Sequence, residues 1–215
     1  MKEIYNINNI LFEGIEFSDF EKTISCLSPT KKRINKSEII LNAGDKVDYI
    51  YIVLSGSVKV VKHDVDGKEN VLTELYASEI FGEVFACGNV LHSPVTVISL
   101  EESEILFLDY KKIITSCPSA CPSHTKLIGN MLKLLANKNL MLHQKIEIIS
   151  KRTTRERLLL YFDIIRGTEK KFTIQHNREN LSAYLCVDRS AMSNEFSKMQ
   201  KEGIIKYNKN KFEIL

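Results

Sequence analysis

A chain of 215 residues, 44% of them hydrophobic, is long enough for two modest domains with ordinary buried cores. No run approaches the roughly 18 uninterrupted apolar residues of a membrane span. The opening MKEIYNINNILFEG lacks a long apolar stretch and a small-residue cleavage site, so neither a membrane partner nor a secretory signal is expected. Charge is unevenly spread: residues 1–150 hold 16 Lys and Arg against 19 Asp and Glu, whereas residues 151–215 hold 14 against 8. A basic final third points to a nucleic-acid-facing module joined to a more neutral one, a solvated basic face being the plainer alternative. Five cysteines without a disulfide-framework pattern point to reduced thiols in a cytoplasm.

In chain order, residues 34–109 read as short strands joined by turns. The runs are Tyr49–Leu54, Val58–Lys62, Val71–Leu75, Val95–Ile98 and Glu104–Leu108, punctuated by Ser55-Gly56 and by Asp64 to Lys68. Strands at this spacing predict a sandwich or barrel, whose interior is either filled or able to hold a small ligand.

Residues 123–150 change period. Ile128, Leu132, Leu135, Asn139, Leu142, Ile146 and Ile149 recur at alternating steps of four and three, a heptad seam with one polar position. A second stripe, Leu127, Met131, Leu134 and Met141, is expected to pack on the barrel. One helix cannot bury two stripes by itself, so the seam predicts a parallel homodimer with Asn139 fixing register. A long helix buried along its own domain is the alternative.

The last region opens at Thr153-Thr154-Arg155-Glu156, with capping-box spacing, and Gly167 suits the exit of the helix that follows. Phe172-Thr173-Ile174 is strand-like. Over residues 177–203, Leu181, Tyr184 and Leu185 form one apolar stripe, and Met192, Phe196 and Met199 form another, hinged at Cys186-Val187-Asp188. So short a hinge predicts a helix–turn–helix. The other face of the second segment carries Arg189, Ser190, Ser193, Asn194, Ser197 and Lys198, side chains suited to base edges and phosphates. Ile204 to Tyr207 and Phe212 to Ile214 complete a winged helix as a hairpin.

The order of barrel, long helix and winged helix resembles the Crp/Fnr family of bacterial transcription regulators. The resemblance rests on Ala43-Gly44-Asp45, Leu54-Ser55-Gly56, Phe81-Gly82-Glu83, KRTTRERLL and Asp188-Arg189-Ser190, in that family's order. It implies an α+β fold: a β-roll or jelly-roll sensor domain over residues 1–122, a dimerisation helix over 123–150, and a winged helix–turn–helix over 151–215. The partners implied are a second copy, pseudo-palindromic double-stranded DNA and RNA polymerase, with no catalysis.

The resemblance also frames the effector. Cyclic-nucleotide members follow the Gly-Glu pair with an Arg that neutralises the cyclic phosphate. Here Gly82 and Glu83 are present, but Ser93 stands where that Arg is expected, and no Arg lies between Gly82 and Glu104. Burying a phosphate without that charge is costly, so cAMP is not the expected effector. Oxygen-sensing members hold an iron–sulfur cluster on an N-terminal cysteine group, whereas here Cys26 stands alone, which disfavours a four-cysteine cluster. Cys117, Cys121 and His124 have spacing that suits a soft metal or a redox-responsive thiol pair, with ordinary structural roles as the alternative. Cys87 and His92 fall near the axial ligand of haem-binding relatives, which leaves haem open.

Two other classes compete. A cupin-type metalloenzyme needs closely spaced histidines, and the five here, at 63, 92, 124, 143 and 176, are dispersed. A small-ligand or cyclic-nucleotide module regulating a protein partner would not call for the basic C-terminal region.

Overall fold

The structure, a computed structural model, describes residues 4, 5, 7, 9–64, 66–88, 90–115 and 122–215. These fall into two compact units, Met1–Ala136 and Asn137–Leu215.

The first unit is built on two antiparallel four-stranded sheets. One runs in the order β1-β8-β3-β6 and the other in the order β2-β7-β4-β5. The strands are β1 (Thr30–Ile34), β2 (Ile39–Leu41), β3 (Tyr49–Ser55), β4 (Ser57–His63), β5 (Glu69–Tyr76), β6 (Ile80–Phe81), β7 (Thr96–Ser99) and β8 (Ser103–Asp109). The run Ile50 to Val53 on β3 is wholly buried, as an apolar strand covered on both faces must be. It shares one core with Val58 and Val97 from the second sheet and with Ile105, Leu106 and Leu108 from β8.

Gly56 sits between β3 and β4 at φ +82°, where a Cβ would lie 2.2 Å from the Ser103 hydroxyl. The Leu54-Ser55-Gly56 signal is thus a demand of the turn. In Ala43-Gly44-Asp45, the Gly44 N–H donates to the Ser93 carbonyl and the Ser93 N–H donates to the Asp45 carbonyl, which ties that turn to the segment before β7.

Helices close the sheets. α1 (Phe17–Leu27) buries Phe20, Ile24 and Leu27. These three recur at i, i+4 and i+7, a helical period. α2 (Glu83–Cys87) and α3 (Tyr110–Ile114) are single turns beside β3 and β8. The long helix α4 (Pro122–Ser150) starts with proline in its first position, where the missing N–H costs nothing. Leu127, Met131 and Leu134 enter the core of the first unit. Met141 does not continue that stripe: it lies past the unit boundary and is 65% exposed, so the expected barrel contact ends at Leu134.

The second unit contains the last part of α4, then α5 (Thr154–Arg166), β9 (Lys171–Thr173), α6 (Arg178–Leu185), α7 (Arg189–Lys201), β10 (Ile205–Asn208) and β11 (Lys211–Ile214). α5 begins with the expected capping box, both reciprocal bonds between Thr153 and Glu156 being made, and ends at Gly167 with φ +55°. β10, β11 and β9 form an antiparallel sheet in that order. Its core is aromatic: Phe162 packs on Phe172, Phe196 and Phe212. Leu158, Leu181, Leu185, Met192 and Met199 fill the rest.

Candidate nucleic-acid interface and sensor site

The nucleic-acid candidate grows from α7. Asp188 caps it, its carboxylate accepting from the Ala191 N–H at 2.8 Å. Met192, Phe196 and Met199 are at most 1% exposed and anchor one side. The opposite side presents Arg189, Ser190, Ser193, Asn194, Ser197 and Lys198, all six exposed and all on one helix. Ser197 gives its hydroxyl proton to the Ser193 carbonyl at 3.2 Å, so towards a ligand it acts as an acceptor.

The turn before α7 is tight. Asn177 caps α6, and Cys186 ends it in the left-handed region at φ +52°. From there the Val187 N–H returns to the Ser182 carbonyl at 3.0 Å. Three arginines that sequence patterning did not single out brace this assembly. Arg157 donates to the carbonyls of Leu185 and Cys186. Arg178 lies 4.3 Å over the Phe196 ring and donates to the Lys209 carbonyl, holding the hairpin against α7. Arg155 pairs with Glu195 and Glu202. Their partners named here are 18 to 47 residues away, so no local pattern could reveal them.

The sensor candidate centres on Phe81-Gly82-Glu83. Gly82 has φ +82°, and a Cβ there would meet the Tyr51 ring at 2.7 Å. Tyr51 itself stacks on Phe81 at 4.7 Å, and burial pushes its phenol up to about 12. Glu83 opens α2 and is 2% exposed. One turn on, the Cys87 thiol is pushed up by burial and by the charge of Glu83, against the pull of a hydrogen bond with Tyr110. Such a thiol is a weak nucleophile at neutral pH.

Ser93 is buried, and its hydroxyl donates to the Val95 carbonyl at 2.7 Å. This side chain is neutral and committed to its own turn, so it brings no counter-charge for a phosphate. His92 is exposed, with Nδ1 2.8 Å from the Gly44 carbonyl. His124 is buried and donates from Nε2 to the Ile113 carbonyl at 2.9 Å. Cys117 and Cys121 lie outside the described residues. Among the described residues, no group of three or more His, Cys, Asp or Glu is placed to hold a metal.

The heptad seam is divided. Ile128, Leu135 and Ile149 are half-buried, whereas Leu132, Leu142 and Ile146 are 63%, 62% and 59% exposed and Asn139 is exposed between them. No helix among the described residues is long and apolar enough to cross a membrane.

Fold and site together define a two-part protein, a β-roll carrying a Gly-Glu turn and a winged helix–turn–helix carrying a polar helix face. Residues 31–117 match the cyclic nucleotide-binding domain. The anaerobic regulatory protein of Pasteurella multocida is 25% identical over 182 residues, 81% of this chain, and the match spans 64% of that relative's own length. The cyclic AMP receptor protein of Thermus thermophilus is 23% identical, covering 95% of this chain and 91% of the relative. The solved Catabolite Activator Protein of Thermus thermophilus shares the fold with a TM-score of 0.56 at 20% identity, covering 96% of this chain and 94% of that one. Over most of its length the chain is therefore similar to these two proteins, and residues 31–117 carry the match to the cyclic nucleotide-binding domain.

Proposed function

We propose that the protein regulates transcription by binding a pseudo-palindromic DNA site as a homodimer in the cytoplasm. The reading is carried by the six exposed polar side chains that α7 presents opposite its buried stripe. A helix so divided suits the major groove, with Arg189 aimed at guanine and Asn194 at adenine, while Ser190, Ser193, Ser197 and Lys198 bind base edges or phosphates.

Pairing of two copies through Leu132, Asn139, Leu142 and Ile146 would cover apolar side chains that one chain leaves in water. It would also present two recognition helices to successive grooves, roughly 34 Å apart. The signal enters through the β-roll and shifts the balance between two arrangements of the dimer, which requires the effector to prefer one of them. Cyclic AMP is a poor fit, because Ser93 is neutral and already bonded to Val95. RNA polymerase is the partner that would read the bound dimer, and the reading assigns the protein no catalysis.

Sedimentation, and fluorescence anisotropy with duplexes from the protein's own upstream region, test this together. The expected result is a dimer that binds duplex. Arg189→Ala should lose about 1–3 kcal/mol of specific affinity and relax preference at one base pair. A monomer that ignores every duplex at low salt would refute the reading.

A further inference from the structure

The recognition helix carries two carboxylates that a DNA-binding surface should not tolerate uncovered. Glu195 lies within α7, and Glu202 caps its end seven residues on, so the two sit above one another, two turns apart. They occupy the flank between the buried stripe and the exposed polar face. Arg155, in the first turn of α5, meets both. Its Nε donates to Glu195 Oε1 at 2.5 Å, and Nη1 and Nη2 donate to the two oxygens of Glu202 at 2.6 and 2.8 Å. The Glu195 side chain is only 15% exposed and that of Arg155 34%, so this pair is partly shielded from water, while Glu202 at 46% lies nearer the surface. A planar guanidinium can face one carboxylate with two parallel bonds while its Nε serves another, which an ammonium cannot do.

We propose that Arg155 is the positioning residue of the recognition helix: it neutralises Glu195 and Glu202 and holds the flank of α7 on α5, so that the helix can approach a phosphate backbone. Without it, two negative charges would face the same polyanion that Arg189 and Lys198 are meant to reach, and like charges across an interface are strongly disfavoured. The inference rests on the DNA-binding reading and adds a residue that touches no DNA itself.

The test is anisotropy of a labelled upstream duplex with the full chain, with thermal unfolding followed in parallel. Arg155→Ala is expected to weaken binding at least tenfold. Arg155→Lys, which keeps the charge and loses the fork, should fall between it and the parent. The decisive variant is Arg155→Ala combined with Glu195→Gln and Glu202→Gln, which should recover affinity to within about threefold of the parent. A merely structural arginine would give no such rescue. Parental affinity in Arg155→Ala, or an unrescued loss in the triple variant, overturns the proposal. Failure of the parent protein to bind any duplex would instead bring down the DNA-binding reading, and this inference with it.

Discussion

Arg157 on α5 donates to the Cys186 carbonyl at 2.8 Å and to the Leu185 carbonyl at 3.1 Å, so the turn between α6 and α7 hangs from a side chain 28 residues upstream. The same guanidinium holds the Lys151 carbonyl at the end of α4 through Nε at 3.0 Å. One arginine therefore satisfies the carbonyls of two chain reversals that no helix serves. Arg157→Ala should cost about 1–3 kcal/mol, the penalty of leaving such acceptors unserved. The loss would be read as a lower urea midpoint for the second unit, followed by exchange of the α6 and α7 amides. Unchanged protection of those helices would show that water replaces Arg157 without cost.

Cys186 pays for the tightness of this turn. It holds φ +52° with its side chain exposed, a conformation that penalises any residue with a Cβ. Glycine removes that penalty and gives back part of the gain as lost freedom in the unfolded chain. Cys186→Gly should therefore raise stability by roughly 0.5–1 kcal/mol. Thermal unfolding checks this, and a lowered midpoint would mean that the thiol makes contacts worth more than the strain.

The contrast between Cys186 and Arg157 shows what the sequence could tell. Features set within one or two turns of chain were legible: the capping box at Thr153 and Glu156, the exit at Gly167, and the buried triplet Met192, Phe196 and Met199. Each follows from local hydrogen bonding or from helical period. The polar face of α7 was legible for the same reason, being the complement of that triplet. What escaped was set by distant partners. Arg155, Arg157 and Arg178 look in sequence like a basic surface, yet each is committed to groups on other elements. Met141 followed the stripe of Leu127 to Leu134, but a helix period does not say where the surface it packs on ends. α1 was legible too, because its buried Phe20, Ile24 and Leu27 repeat the i, i+4, i+7 spacing of Met192, Phe196 and Met199, and it was overlooked.

Acid should loosen the second unit through two carboxyls in particular. Hydrogen bonds from the Thr153 backbone and side chain hold Glu156 below the usual 4.5, and Arg155 does the same for Glu202. A carboxyl depressed in the folded state contributes its full stability above the unfolded value and loses it as pH falls through the lower folded one. The contribution is therefore complete at pH 7 and drains below about pH 4.5. Glu156→Gln and Glu202→Gln, each compared with the parent by urea unfolding at pH 7, 5, 4 and 3, should be less stable at pH 7 and converge on it at the acid end. Parallel curves across the whole range would mean that neither carboxylate is held in the folded state.

Within the first unit, a short segment is pinned from two sides. Asn9 is 4% exposed. Its side-chain amide donates to the Ser78 carbonyl at 2.6 Å, and its Oδ1 accepts from the Leu11 N–H at 2.9 Å. Asn130 on α4 donates from Nδ2 to the Leu11 carbonyl at 3.0 Å and to the Glu13 carbonyl at 2.8 Å. Lys126 and Lys133, one turn to either side, reach Gly14 and Glu13. Residues 9–14 thus join the β5–β6 turn, four residues before Gly82, to the helix that carries the heptad seam. Asn9→Ala and Asn130→Ala should each cost about 1–2 kcal/mol, since each strands a buried or half-buried carbonyl. If the two act on one cooperative segment, the first loss already frees what the second would release, and the double variant should cost measurably less than the sum. Strict additivity in urea unfolding, within about 0.3–0.5 kcal/mol, would show two independent anchors and no mechanical link from the Gly82 turn to α4 through this strap.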